Sequence, residues 1–298
     1  MNQSPPADSL SLLPLFDTIT VVGIGLLGGS VALAAKQRGG ANRVIGVGRN
    51  AARLELARAA GVIDVAETDV AEAAAQSDVL IFATPVDVIV SGVRAAAGAC
   101  QPGTVITDVG STKARICREL SSGLPSGVGF VGSHPLAGSE QQGWEHAHAD
   151  LLEGRVCVVT PTNRDEPSQA DALDCLTVFW QRCGMTVIEL SPEAHDRAVA
   201  QTSHVPHVVA SALARTLADE NRDFVATGFA DTTRVAAGDP DVWVPILLDN
   251  ADAVLASLDQ FSEQLQSFRD ALARCDAATV CRLWNHGKTV RDSIHVRR

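Results

Sequence analysis

Three histidines, a serine and an arginine stand in settings where a side chain could do chemistry. His134 lies in Gly132-Ser133-His134-Pro135-Leu136-Ala137-Gly138 and Ser111 in Gly110-Ser111-Thr112-Lys113, each just after a run that reads as a strand. A neutral imidazole at a strand end can accept a proton or a hydrogen bond from a substrate hydroxyl as hydride leaves, and a serine hydroxyl can fix its orientation. A histidine that merely caps a turn reads the same, so both readings stay open. His204 and His207 occur in Ser203-His204-Val205-Pro206-His207. On a helix that spacing puts them on one face. The carboxylate of an anionic substrate is one partner, and a plain polar stripe is the alternative. A metal would need a third ligand, and none is apparent. Arg234, in Gly228-Phe229-Ala230-Asp231-Thr232-Thr233-Arg234, has a fork that could bind a carboxylate bidentately, or simply pair with Asp231 in a loop. Trp243 is by default a core or interface aromatic. His146 and His148 read as surface.

These residues need a scaffold, and its centre is Thr20-Val21-Val22-Gly23-Ile24-Gly25-Leu26-Leu27-Gly28-Gly29-Ser30. A buried strand, a glycine turn and a helix start follow in the order that a dinucleotide site requires. Gly23 permits the turn, Gly25 lets backbone approach a pyrophosphate, and Gly28 lets the helix lie close on the strand, with Leu27 in its first turn. About twenty residues on, where an NAD site usually places an acid, the chain has Gly48-Arg49-Asn50. With no carboxylate to repel a 2′-phosphate and Arg49 to grip one, NADP is favoured over NAD. A solvated turn arginine is the other reading. Thr84-Pro85 ends a strongly apolar strand and completes the expected cofactor contacts.

The strands read at 43–47, 78–83, 104–108, 127–131, 155–160 and 186–190 alternate with helices. This predicts an α/β fold: an N-terminal Rossmann-type, doubly wound, mostly parallel sheet with its ligand beyond the strand C-termini. From Ser191 the pattern turns helical and no strand is read after residue 190. The expected organisation is a loose lead-in over residues 1–16, a dinucleotide-binding domain over 17–190, and an all-helical substrate and dimerisation domain over 191–298. The apolar faces of the last helices exceed what one small domain needs, so a homodimer through them is expected.

Bulk properties agree. The chain has 298 residues, 46% hydrophobic and 20% charged, a globular composition. A formal net charge of −11 disfavours a broad nucleic-acid surface. Seven scattered cysteines suit reduced thiols in cytoplasm, and no membrane span or secretion leader is read.

Taken together, the glycine turn, Ala83-Thr84-Pro85-Val86, Asp108-Val109-Gly110-Ser111-Thr112-Lys113, the His134 segment, the His204/His207 segment and the Arg234 segment occur in an order that resembles the prephenate/arogenate dehydrogenases. The resemblance covers nearly the whole chain. It implies oxidative decarboxylation of prephenate to 4-hydroxyphenylpyruvate on the tyrosine pathway, with arogenate or dual use as the alternative. It also implies that His134 takes a hydrogen bond from the ring hydroxyl, that Ser111 braces His134, and that Arg234 holds the departing carboxylate. His204, His207 and Trp243 would lie on the substrate side, and no metal is required. The length leaves no room for a fused mutase or regulatory domain, so any tyrosine feedback would act at the active site or elsewhere. A hydroxyacid dehydrogenase is a rival, though it would carry a lysine where this chain has histidines. A non-catalytic NADP-sensing protein is another.

Overall fold

The computed structural model describes residues 14–138, 141–163 and 165–294. Most of the expected lead-in lies outside the described residues, and Phe16 already belongs to the first strand. The first half runs β1 (Phe16–Val22), α1 (Leu26–Gln37), β2 (Ala41–Val47), α2 (Ala51–Ala59), β3 (Val65–Glu67), α3 (Val70–Ala74), β4 (Val79–Phe82), α4 (Val86–Ala97), β5 (Val105–Asp108), α5 (Ala114–Leu120) and β6 (Gly129–Phe130).

These six strands form one parallel sheet in the order β3-β2-β1-β4-β5-β6. The order reverses between β1 and β4, and that switch point is where an open α/β sheet takes its ligand. Alternate β4 side chains show why both faces are covered. Val79 and Ile81 join a core with α1, while Leu80 and Phe82 join another with α4 and α5. Strand side chains point to opposite faces in turn, so a strand apolar throughout must be buried on both.

The run 127–131, expected as one strand, is shorter than that and leads into a change of sheet. After β6 the chain enters β7 (Gly132–Pro135), which pairs antiparallel with β8 (Val156–Thr160); β8 in turn pairs parallel with β9 (Thr186–Glu189). His134 therefore sits inside a strand of a second, three-stranded sheet. The sheets are linked by buried hydroxyls: Thr107 Oγ1 meets Ser133 Oγ at 2.8 Å, and Trp180 Nε1 donates to that Ser133 oxygen at 3.0 Å. Trp180 lies on α6 (Pro167–Arg182) between β8 and β9 and is fully buried. Burying these polar groups is tolerable because each finds a partner.

The rest is α7 (Pro192–Val199), a π-helical turn over Ala200–His204, α8 (Val205–Ala214), α9 (Thr227–Thr233), α10 (Pro240–Asp249), α11 (Ala251–Ala273) and α12 (Ala277–Ser293). No strand follows β9 among the described residues. One compact unit runs to Asp196 and includes Pro240–Asp249; the other comprises Arg197–Asp239 and Asn250–Arg298. Helix α10 belongs to the first because Ile246 and Trp243 pack into the α4/α5 core and Asp249 accepts bonds from Thr112 and Arg115. Among the described residues, no helix is long and apolar enough to cross a membrane.

Candidate active site and cofactor cradle

The glycine turn is fixed by packing at two positions and open at the third. Gly23 has φ +98°, and a Cβ there would lie 2.5 Å from the Ala83 carbonyl oxygen. A Cβ on Gly28 would lie 2.1 Å from the Gly23 oxygen. On Gly25 it would meet nothing within 4 Å. Gly25 is also the N-cap of α1 and offers no side chain to the helix's first N–H groups. At the end of β4, the buried Thr84 Oγ1 has no hydrogen-bond partner among the described residues, a condition that costs free energy unless a ligand or water relieves it. Open space at Gly25, uncapped amides and an orphan hydroxyl across the switch point fit a bound dinucleotide. Leu27, in the first turn of α1, is partly buried and packs against the core, and Pro85 is the N-cap of α4. Arg49 is exposed just past β2.

Ser111 stands in a loop clamped from both sides. Asp108, fully buried at the end of β5, forms an ion pair with the equally buried Lys113 and accepts the Gly110 N–H at 2.8 Å. Burial lifts the Asp108 carboxyl above its ordinary value, against the pull of the Lys113 ammonium and the Gly110 and Ser133 N–H groups. The ion pair therefore spans the Ser111 loop and holds it at the sheet's C-terminal edge.

His134 is held by a chain of polar groups that runs back to Asp196. Its Nδ1 lies 2.8 Å from His195 Nε2, and His195 Nδ1 lies 2.8 Å from Asp196 Oδ1. Asp196 also accepts the N–H groups of Lys113 and Ala114, both at 2.8 Å, and so caps α5 as well. Burial alone would raise the Asp196 pKa, but bonds from His195, Ala114 and Lys113 outweigh it and leave the carboxyl below the ordinary range. An ionised carboxylate only accepts, so His195 Nδ1 carries the proton. With its second nitrogen unprotonated, His195 would offer Nε2 as the acceptor for His134 Nδ1–H, and His134 Nε2 would then be the nitrogen free to accept from a hydroxyl donor.

The structure thus adds His195 as a partner on His134 Nδ1, beside the Ser111 that the resemblance implied. Nothing in the sequence marks His195 or Asp196, which occupy ordinary positions in α7; only pairing over 61 residues reveals them.

The second unit places its histidines apart in environment. The π-turn at Ala200–His204 and the following α8 put His204 in the interior, 1% exposed, with Nδ1 3.2 Å from Asn250 Nδ2. His207 Nδ1 donates to the Ser203 carbonyl at 2.8 Å. Burial keeps the His207 pKa below the ordinary value, opposed by the Ser203 bond and reinforced by the nearby Arg234 charge. Arg234 follows α9 and is exposed. The expected polar loop before it is a helix, in which the Thr232 and Thr233 hydroxyls bond back to the carbonyls of Gly228 and Phe229, each at 2.7 Å.

Residues 31–189 match the family model described as prephenate dehydrogenase, nucleotide-binding domain, and residues 191–285 the model described as prephenate dehydrogenase, dimerization domain. The chain belongs to the prephenate dehydrogenase family. It is 33% identical to the prephenate dehydrogenase of Bacillus subtilis, over 94% of this chain and 77% of that protein. It is 32% identical to the cyclohexadienyl dehydrogenase of Zymomonas mobilis, over 89% and 91%. The crystal structure of prephenate dehydrogenase from A. aeolicus, in complex with hydroxyphenyl propionate and NAD+, matches with a TM-score of 0.86 at 28% identity, covering 94% of this chain and 98% of that one. Arogenate dehydrogenase from Synechocystis matches at 0.77 and 28%, covering 92% and 99%. In this prephenate dehydrogenase family member, Trp243 packs on the first unit's core, which is its default reading as a core aromatic.

Proposed function

We propose that this chain catalyses the NAD(P)-dependent oxidative decarboxylation of prephenate to 4-hydroxyphenylpyruvate. The observation that carries the reading is the Asp196–His195–His134 chain, which engages Nδ1 of His134 within the second sheet's first strand and leaves Nε2 as the nitrogen to meet a substrate.

His134 Nε2 accepts the hydrogen bond of the ring hydroxyl, and Ser111 touches the same oxygen. A bound nicotinamide supplies the hydride acceptor. As hydride leaves the hydroxyl-bearing carbon, the hydroxyl proton shifts to Nε2. The imidazolium formed is stabilised through His195 by the Asp196 carboxylate. Loss of the ring carboxylate as carbon dioxide leaves its electron pair in the ring, which becomes aromatic. The proton then returns from His134 to the phenolic oxygen, so no net proton is consumed. Arg234 is assigned to the ring carboxylate and His207 to the side chain. His204 supports the π-turn from behind.

Gly23, Gly25, Gly28 and Thr84 are assigned to the cofactor. NADP is preferred because the β2 turn lacks a carboxylate and Arg49 stands exposed beside it. The likeness to a cyclohexadienyl dehydrogenase at 32% identity supports arogenate as a second substrate. A homodimer through α11 and α12 is supported by the dimerization-domain match and by exposed Leu265, Leu272 and Trp284.

Replacing the basic nitrogen tests the reading. His134→Asn lowers turnover about a hundredfold or more, the scale of a positioned acid or base, while cofactor affinity stays within about twofold. Turnover within threefold of wild type would remove His134 from the reaction.

A further inference from the structure

The turn Gly48-Arg49-Asn50 has no carboxylate of its own, yet the fold delivers one to that corner. Glu145, in a 3-10 turn over Trp144–His146, sets both carboxylate oxygens on Arg53 Nη2, at 2.9 and 3.1 Å. Arg53 is the third residue of α2, and its N–H is fixed at 3.1 Å by the Asn50 cap. The turn that carries Glu145 is anchored to α1. A Cβ on Gly29 would come within 2.8 Å of Ala147 Cβ and 3.5 Å of Trp144 Cβ, and the His148 N–H donates to Ser30 Oγ at 3.1 Å. Gly143 has φ +88°, a backbone conformation that side chains rarely adopt. The glycine turn adjoins the same corner, because Gly23 donates its N–H to the Val47 carbonyl at 2.8 Å. Arg49, two residues past β2, is exposed and makes no ion pair among the described residues. One arginine at the corner is therefore open and the other is neutralised.

We infer that Glu145 is a specificity-determining residue for the dinucleotide, and that it limits the preference for a 2′-phosphate by occupying Arg53. A phosphate there would carry about two negative charges. Glu145 opposes it directly and withholds the second guanidinium that could join Arg49 in a charge-assisted grip. Freed, Arg53 turns a one-arginine site into a two-arginine site. A ribose 2′-hydroxyl is uncharged and is insensitive to the exchange. The inference rests on the reading that the adenosine ribose lies beside Arg49.

Calorimetric binding of NADP and of NAD to the full chain tests it, with Glu145→Gln, Arg53→Gln, the double variant and Arg49→Ala. Glu145→Gln should tighten NADP by about threefold to tenfold at low ionic strength, less at high salt, and leave NAD within about twofold. The gain should fall below about twofold when Arg53 is also replaced, as coupled residues require. An unchanged NADP-to-NAD affinity ratio in Glu145→Gln, or an equal gain with Arg53 absent, would overturn the inference. Arg49→Ala reports separately on the ribose reading: a selective loss of NADP upholds it, and equal losses of both cofactors refute it whatever Glu145 does.

Discussion

His134 offers two ring nitrogens, and the fold commits one of them before any substrate arrives. The commitment originates at Asp196, whose carboxylate stays ionised because His195 and two α5 amides donate to it. Its pKa is lowered on folding, so the stability it contributes is present above the unfolded carboxylate value of about 3.9 and is lost as pH falls through the lower, folded value. Asp196→Asn should therefore cost about 2 kcal/mol or more at pH 7, since it leaves buried donors without an ionic acceptor. The gap between wild type and variant should narrow steadily in thermal denaturation below about pH 4. A gap that is independent of pH would mean that the carboxylate is not the ionised anchor. Ser111 and His134 stood out in the sequence because glycine and proline punctuate their segments, although His134 lies within β7 and not past a strand end. His195 was not, because an imidazole in the first turns of a helix has no local signature, and its partner is 61 residues away.

Elements show the same division between local and tertiary causes. The glycine turn could be read because three glycines at fixed offsets join a β-branched run to a helix, and each has its own geometric role. Gly28 is closed by the Gly23 carbonyl, while Gly25 faces open space. Gly25→Ala should accordingly leave the melting temperature within about 2 °C and weaken dinucleotide binding about tenfold or more. Gly28→Ala should lower the melting temperature by several degrees through overpacking. Equal destabilisation by both would contradict the cradle. The passage from β6 into β7 escaped the sequence because a continuous apolar run carries no mark of the residue at which it changes partner sheets. The π-turn before α8 escaped it for a related reason: one extra residue in a helical turn leaves composition unchanged, and the turn ends on His204, whose side chain is buried.

At the scale of the whole molecule, alternating strands and helices followed by unbroken helices were enough to predict a Rossmann-type sheet with a helical C-terminal region. Less predictable was the assignment of α10, a helix late in the chain that packs with the first compact unit through Ile246 and Trp243. The apolar side chains left exposed on α11 and α12 include Leu272 at 63% and Trp284 at 70%. Sedimentation should give twice the chain mass, and Leu272→Asp with Trp284→Asp should shift it toward the monomer. An unaltered dimer in that double variant would place the interface elsewhere. The activity itself is tested most directly by product stoichiometry. Purified protein with prephenate and NAD or NADP should release carbon dioxide, 4-hydroxyphenylpyruvate and reduced cofactor in equal amounts. Reduced cofactor formed without carbon dioxide, or no reaction with prephenate and arogenate alike, would contradict the account.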